Sequence, residues 1–215
     1  MNVKYGSAFM AYLPDEALAI KHYKKMSLPY IESEHFNGQH YTEQPLPTGE
    51  YEHCSFSNCV FLNADLSDII FSSCTFTDCD VSMATLVGAA FRDVTFKNCK
   101  LLGLRFNDCN GFLLSFDFDS CVLNFSSFYK VNLKNTHFKN CKLEEVEFVE
   151  SDLTKAVFSQ CDLINAVFEN TNLEGADLRT AVNFSIDPTT NRIAKSKFST
   201  HNIAGLLHTY NIIIE

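Results

Sequence analysis

The chain has 215 residues, of which 46% are hydrophobic and 20% are charged, and this composition excludes a wholly disordered protein. Its 26 acidic and 17 basic side chains give a formal net charge of −9, which disfavours direct binding to nucleic acid phosphates. No apolar run approaches the length of about 18 residues that a membrane span needs, and the first residues lack the pattern of a signal peptide. We therefore expect a soluble cytoplasmic chain.

Residues 1–33 form an N-terminal extension that differs in kind from the rest of the chain. From Pro14 to Met26, the apolar face formed by Leu18, His22 and Met26 predicts a short amphipathic helix. This helix is expected to cap the next element. Met26 is also a possible alternative start, which would make the first 25 residues dispensable.

Residues 34–184 are governed by a repeat of five residues. Large apolar side chains recur at every fifth position from Phe56 to Phe106 and, in a shifted frame, from Phe118 to Leu178, and a small residue precedes most of them by two positions. A period of five matches neither a helix nor a strand. Each pentapeptide is therefore predicted to form one side of a four-sided coil, and the coils to stack at a β-sheet spacing of about 4.8 Å.

Like side chains are predicted to stack on like in successive coils, because the second run alternates Phe and Leu. One side receives Phe118, Phe138 and Phe158, the opposite side receives Phe128, Phe148 and Phe168, and leucines fill the other two sides. A solenoid tolerates such a pattern because each coil contacts only its neighbours. The pattern predicts an all-β solenoid with a solid apolar core.

Two places interrupt the repeat. Near its start, Glu34 and Gln39 occupy positions where small inward side chains are expected, which predicts an imperfect first coil. Between residues 107 and 117 the frame slips by two residues; Leu113 fits the new frame and is expected to point inward, and Gly111 can adopt unusual backbone angles. The slip is either a bulge that bends the rod or a protrusion that binds a partner.

The segment CDLINAVFENTNLEGADL, from Cys161 to Leu178, resembles the A(D/N)LXX consensus of the pentapeptide repeat family. The resemblance covers about residues 52–184, close to two thirds of the chain. It implies a right-handed quadrilateral β-helix, to which we add short helical caps at the two ends.

Residues 185–215 are predicted to form a C-terminal capping helix, starting at Ser199 or Thr200, and a dimerisation segment. The apolar candidates for the interface are Ile203, Leu206, Leu207, Tyr210, Ile212, Ile213 and Ile214. These side chains pack either on the chain's own last coil or in a twofold dimer. We favour the homodimer, in which two rods join end to end.

Two further segments, IDPTTNRI from Ile186 to Ile193 and CKLLGLRF from Cys99 to Phe106, are similar to the branch of the family that includes microcin and albicidin immunity proteins and the Qnr quinolone-resistance proteins. This resemblance implies a dimeric rod that mimics DNA, binds gyrase or topoisomerase IV, and protects it from inhibitors such as quinolones. The Qnr proteins of enteric bacteria carry long loops, whereas this repeat has only the two-residue slip. The alternative is a structural or protein-interaction solenoid with no topoisomerase role.

Motifs for catalysis or for metal binding are not recognisable in the sequence. The nine cysteines follow the repeat apart from Cys109 at the slip, and no CxxC pair occurs, so we expect buried free thiols. The eight glycines are scattered, and a solenoid with a solid core leaves no cleft of ligand size. We predict no enzymatic activity, no cofactor and no metal.

Acidic side chains are the remaining signal for function. The candidates for partner binding are an acidic belt, Glu144, Glu145, Glu147, Glu150 and Asp152, and a second acidic group, Asp65, Asp68, Asp78 and Asp80. These carboxylates are expected to point outward. A surface of this kind suits a basic protein surface that ordinarily holds duplex DNA.

Overall fold

The computed structural model describes residues 28–210 and 212–213, which form a four-sided parallel β-solenoid and confirm the predicted fold class. The predicted helix from Pro14 to Met26 lies outside the described residues. The strands are β1 (Tyr30–Glu32), β2 (His35–Asn37), β3 (Glu50–Glu52), β4 (Ser55–Ser57), β5 (Ile70–Ser72), β6 (Thr75–Thr77), β7 (Ala90–Arg92), β8 (Val94–Lys97), β9 (Phe116–Asp119), β10 (His137–Lys139) and β11 (Val157–Ser159). Short 3-10 helices occupy Phe106–Asp108, Ile203–Leu206 and His208–Tyr210.

The four sides of the solenoid are numbered in chain order, so that Phe56, Phe61, Leu66 and Phe71 mark the first to the fourth side. The first side is a parallel sheet in the order β11-β10-β9-β8-β6-β4-β2, and the fourth side is a sheet in the order β1-β3-β5-β7. The second and third sides are joined by single parallel bridges between residues of successive coils. All four sides thus stack in the register that the repeat predicts.

In the C-terminal half of the solenoid, aromatic stacks form the core of the first and third sides. The ring of Phe138 lies 5.2 Å from that of Phe118 and 4.9 Å from that of Phe158, between centroids, on the first side. On the third side, Phe148 stacks between Phe128 and Phe168 at 5.4 and 5.1 Å. Burial of each such side chain contributes about 1.5–3 kcal/mol. The predicted stacking of like on like is confirmed.

Most corners of the solenoid hold a residue in the left-handed region of backbone conformation, two positions after the inward side chain. Asn58, Asn98 and Asn140 adopt φ of 53°, 52° and 52°. Asparagine, aspartate and glycine tolerate this region better than other residues. The corner geometry therefore explains why these residues recur at one position of the pentapeptide.

Six cysteines stack in one column, at the corner that precedes the second side: Cys59, Cys79, Cys99, Cys121, Cys141 and Cys161. The thiol of Cys79 donates to the carbonyl of Phe56 at 3.4 Å, and the thiol of Cys121 donates to that of Phe96 at 3.4 Å. All nine cysteines are free. Burial raises the pKa of the Cys74 thiol, in a neighbouring column, to about 12, so that thiol stays protonated and acts as a hydrogen-bond donor.

The frame slip is an insertion on the fourth side. On the first side Phe96 pairs with Phe118, and on the third side Phe106 stacks on Phe128, so the two extra residues lie between Phe106 and Phe118. The expectation that Leu113 points inward is wrong: its side chain is 64% exposed.

Phe116 provides the physical reason for this difference. It occupies the place of a small residue, in register with Val94, and its ring is 97% buried between Phe91, Phe106 and Phe128. The ring fills the volume that an inward side chain of the fourth side takes in other coils. Leu113 has no space inside and turns outward.

The two ends of the solenoid differ. At the N-terminal edge, Glu34 and Gln39 are exposed beside the first coil. At the other end the chain continues past Leu178 in the same path, because Arg192 bridges to Asn172 and Lys197 bridges to Asp177.

The C-terminal cap begins later than Ser199 and consists of 3-10 helices, Ile203–Leu206 and His208–Tyr210. Its first residue is preceded by Asn202, whose amide donates to the carbonyls of Leu178 and Ala181 at 2.8 and 2.9 Å. A Cβ at Gly205 would lie 2.5 Å from the Phe184 ring. This close approach explains why a glycine occupies position 205. None of the described helices is long and apolar enough to cross a membrane.

Candidate functional site

Acidic side chains are distributed unevenly over the four sides of the solenoid. The third side and its following corner carry six carboxylates, which we call the acidic strip: Asp65, Asp68, Asp108, Glu147, Glu150 and Glu169. Two cations, Arg105 and Lys130, lie among them. From β4 onward the first side is balanced, with four acidic residues (Asp78, Asp117, Asp119 and Asp177) against four basic ones (Lys97, Lys139, Arg179 and Lys197). With six carboxylates against two cations, the third side is more acidic than the first.

The acidic belt predicted from the sequence follows one coil around three sides. Glu144 and Glu145 lie on the second side and its corner, Glu147 and Glu150 lie on the third, and Asp152 lies on the fourth. The structure thus brings together Glu147 and Glu150 but not the whole belt.

Neighbouring coils supply partners for most of the belt. The amide of Asn124 donates to Glu144 at 2.8 Å. The hydroxyl of Ser127 donates to Glu147 at 2.5 Å, and Lys130 lies 3.4 Å from Glu150. These contacts run along the solenoid axis and hold the carboxylates in fixed positions.

Asp152 has the most complete set of partners in the belt. Its side chain accepts hydrogen bonds from the backbone N–H and the hydroxyl of Thr154 at 3.1 and 2.5 Å, and Lys134 lies 3.2 Å away. Partial burial alone would raise the pKa of Asp152, but the Thr154 hydrogen bonds and Lys134 together hold that pKa below its ordinary value. Asp152 is therefore ionised and already paired.

The second acidic group is also divided. Asp65 and Asp68 lie on the third side and its corner, whereas Asp78 and Asp80 lie in the next coil on the corner of the first side and on the second side. The side chain of Asp65 accepts a hydrogen bond from the Ser67 backbone at 3.0 Å, and the interaction with Ser67 lowers the pKa of Asp65. Only Asp65 and Asp68 belong to the acidic strip.

The sequence reasoning missed Asp108 and Glu169. Asp108 follows the same corner column as Asp68 and Glu150, and Glu169 lies next to that column in the following coil. Counting in steps of 20 residues, with 22 across the insertion, would have placed them there. Asp108 is paired with Arg105, with 3.0 Å between Oδ2 and Nε.

The C-terminal candidates for a dimer interface are mostly exposed. Ile203 is 44%, Tyr210 56%, Ile212 55% and Ile213 88% exposed. Leu206, in contrast, packs against the core, and Ile214 lies outside the described residues. An open groove of about 730 Å³ lies beside this end, lined in part by Ile164, Val182, Phe184, His201 and His208.

The model of the protein family described as the pentapeptide repeat region matches residues 50–117 and 113–184, which together make up well over half of the chain. The chain belongs to the pentapeptide repeat family. Within the described residues of this family member, no cluster of three or more His, Cys, Asp or Glu side chains is arranged to hold a metal ion.

Solved structures of other pentapeptide repeat proteins are similar to this chain to different degrees. A trypsin-treated variant of QnrB1, a plasmid-mediated fluoroquinolone resistance protein, is 16% identical with a TM-score of 0.51, over 89% of this chain and 93% of that one. HetL, a pentapeptide repeat protein involved in the regulation of heterocyst differentiation in the cyanobacterium Nostoc sp. strain PCC 7120, is 15% identical with a TM-score of 0.25, over 84% and 91% of the two chains. No curated protein sequence matches this chain significantly. At these identities the likeness to QnrB1 establishes the fold.

Proposed function

We propose that this pentapeptide repeat protein is a non-enzymatic DNA mimic that binds a type II topoisomerase, gyrase or topoisomerase IV, and protects it from inhibitors such as quinolones. The observation that carries the proposal is the acidic strip, because its carboxylates lie on one outer side of a rod. QnrB1, which has the same fold, is a fluoroquinolone resistance protein. The segments similar to the Qnr branch, Ile186–Ile193 and Cys99–Phe106, support the same function.

The dimensions of the strip allow a comparison with DNA. From Asp65 to Glu169 the strip crosses five coil spacings, about 24 Å at about 4.8 Å each. B-DNA of that length carries about 14 phosphates. The strip has six carboxylates, and Arg105 and Lys130 pair with two of them. We expect the proposed partner to contact the four carboxylates that have no ion pair among the described residues, Asp65, Asp68, Glu147 and Glu169.

The decisive experiment measures binding to purified gyrase at two ionic strengths, together with supercoiling with and without a fluoroquinolone. We expect the wild-type protein to bind, to lose affinity as salt rises, and to restore supercoiling in the presence of the drug. Reversal of Asp65, Glu147 and Glu169 to Lys should weaken binding at least tenfold and flatten the salt dependence.

A matched control reverses the same number of charges on the first side, at Asp117, Asp119 and Asp177. This variant has the same net charge as the first one and should keep wild-type affinity within about threefold, because surface charges outside a contact mainly act through screened long-range forces. Equal loss in both variants, or binding that is indifferent to salt, would contradict mimicry by the acidic strip.

We also propose that the protein is a homodimer joined through its C-terminal segment. The support is the exposure of Ile203, Tyr210, Ile212 and Ile213 beside the open groove at the same end. Deletion of residues 203–215 should convert the dimer to a monomer or an aggregate in light scattering. A full-length protein that is monomeric at micromolar concentration would overturn the end-to-end arrangement.

A second candidate function is that of a protein-interaction solenoid with no topoisomerase role, and specific contacts favour it. Lys134 pairs with Asp152, Lys130 pairs with Glu150, and the first side is nearly neutral, as expected of a protein-interaction solenoid with an ordinary solvated surface. The same gyrase experiment separates the two functions, since an interaction solenoid without a topoisomerase role would not bind gyrase at all.

A further inference from the structure

The insertion on the fourth side exposes two consecutive apolar side chains. Phe112 is 67% and Leu113 is 64% exposed. Leu113 also adopts a φ of 58°, a left-handed conformation that costs a leucine about 1–2 kcal/mol. Phe116 already fills the core at this level, so packing does not explain why the outward residues are large and apolar. We call residues 110–115 the ledge.

A groove runs along the N-terminal flank of the ledge. Its volume is about 470 Å³, and its walls are formed by Glu52, Ser72, Ser73, Arg92, Asp93, Leu113, Leu114 and Ser115. Glu50 lies two residues before Glu52 on β3, in the same sheet. The groove is lined by two carboxylates, Glu52 and Asp93, and by one guanidinium, Arg92, so it carries a net negative charge, to which the neighbouring Glu50 adds; the hydroxyl of Tyr30 donates to Glu52.

Arg92 is incompletely paired in this groove. Its guanidinium Nη1 lies 3.9 Å from Glu50 Oε1, at the outer limit of an ion pair, and its buried Nε–H has no acceptor among the described residues. Its side chain is 28% exposed. The guanidinium therefore still has N–H groups to donate, and buried donors without acceptors are costly.

We propose that the ledge and the groove form a docking surface for an extended segment of a partner protein that contains a basic residue next to an apolar one. The basic side chain enters the groove between Glu52 and Asp93. The apolar side chain covers Phe112 and Leu113, and a backbone carbonyl of the segment accepts a hydrogen bond from Arg92.

Charge complementarity selects this partner. The carboxylates of Glu50, Glu52 and Asp93 repel the phosphates of nucleic acids and of anionic lipids, and attract lysine or arginine. The apolar area of Phe112 and Leu113 adds a contact that a purely cationic ligand cannot use. This surface lies on the fourth side, apart from the acidic strip on the third, so the inference stands independently of topoisomerase binding.

Fluorescence polarisation with three labelled octapeptides tests the proposal. The peptides alternate Lys with Leu, Lys with Ser, or Glu with Leu. Comparing them shows whether binding needs a basic side chain, an apolar side chain, or both. We expect the Lys-Leu peptide to bind the wild-type protein at least tenfold more tightly than either of the others. Equal binding of the Lys-Ser peptide would reduce the interaction to general attraction by an acidic protein, and would overturn the proposal.

Single substitutions locate the binding surface. We expect each of three substitutions to weaken binding of the Lys-Leu peptide at least fivefold: Phe112→Ser, Leu113→Asn and Glu52→Gln. Phe125→Asn is the matched control, since Phe125 is another exposed aromatic residue, 57% exposed with a φ of 64°, at a corner of the second side. It should leave the peptide affinity unchanged.

The thermal midpoint of each variant shows whether a loss of binding reflects a loss of folding. Leu113→Asn places a residue that tolerates φ > 0 at a left-handed corner, so it should bind less while unfolding at a higher temperature, a combination that a structural role of Leu113 would not produce. Equal loss in Phe125→Asn, or Phe112-dependent binding to phosphatidylcholine vesicles in place of the peptide, would overturn the assignment of a protein partner.

Discussion

The coil that contains Phe148 and the passage from Asp108 to Phe116 fill the same cross-section in different ways. In the Phe148 coil each side supplies its own inward side chain, and Leu153 fills the fourth side. In the passage, the fourth side supplies only the half-buried Leu114, and the ring of Phe116 reaches across from the neighbouring corner.

The difference shows which features of the repeat the fold requires. The sheet of the first side passes through the insertion without a break, since β8 pairs with β9 over four residues. Because each coil packs only against its neighbours, one coil can lose the regular path of one side, provided that its volume is filled. The fold requires that side chains fill the core at every level and that successive coils stay in register. Within these limits, the insertion can carry exposed side chains.

The largest effect is expected in the regular coil. Phe148→Ala should lower the free energy of unfolding by about 3–5 kcal/mol, because it leaves a cavity between Phe128 and Phe168. Chemical denaturation measures the loss. Lys155→Ala, on the exposed surface of the next side, is the control and should change stability by less than about 0.5 kcal/mol. Equal midpoints in the two variants would contradict the inward assignment.

A reciprocal exchange tests whether Phe116 compensates for the missing side. Phe116→Val restores the small residue of a regular coil and should still cost about 2–3 kcal/mol, since Leu114, which is only half-buried, does not fill the fourth side at this level. Val94→Phe, one coil earlier in the same column, should cost about 1–3 kcal/mol by overpacking. Denaturation curves of both variants are needed. A neutral Phe116→Val would show that the passage closes without its ring.

Adjacent leucines in the insertion should respond in opposite directions. Leu113→Asn should stabilise the protein by about 1 kcal/mol, because Asn tolerates the left-handed corner that Leu113 occupies. Leu114 is half-buried against the core, so Leu114→Asn should destabilise by about 1–2 kcal/mol. Thermal unfolding of the pair measures both signs, and a shared sign would contradict the placement of one residue outside and the other inside.

The smallest effect concerns the surface of the regular coil. Thr154→Val removes the hydroxyl that donates to Asp152, so the pKa of Asp152 should rise towards its ordinary value. A carboxylate whose folded pKa is lowered stabilises the fold above its unfolded pKa of about 3.9, and that contribution is lost as pH falls through the folded pKa. At pH 4 and above, the free energy of unfolding of the variant should therefore be smaller than that of the wild type, and the difference should shrink as the pH falls through the folded pKa.

A carboxyl NMR titration checks this change directly. Thr189→Val is the control, since the Thr189 hydroxyl donates to Asp187 at 2.7 Å and lowers the pKa of that residue. It should raise the pKa of Asp187 and leave that of Asp152 unchanged. A pKa of Asp152 that stays the same in Thr154→Val would assign its lowering to Lys134 instead.

The stacked core could be predicted from the sequence because it depends on a fixed period. Once five residues make one side, the positions of Phe118, Phe138 and Phe158 follow from counting alone, and the same counting places the buried cysteines. The acidic belt groups carboxylates that are close in sequence. In a solenoid, residues that are close in sequence are spread around the perimeter. For this reason Asp152 and Glu144 are on different sides, whereas Asp108 and Glu169, far apart in sequence, share the acidic strip.

Only the tertiary structure decided the course of the insertion. Leu113 and Phe116 are both large and apolar, each satisfies the spacing of one frame, and the new frame favours Leu113 as the inward residue. The choice depends on the volume left between Phe91, Phe106 and Phe128, which the ring of Phe116 fills from its own corner. Periodicity determined the fold, because every regular coil repeats the same contacts; the single irregular passage was decided by packing among residues of three successive coils.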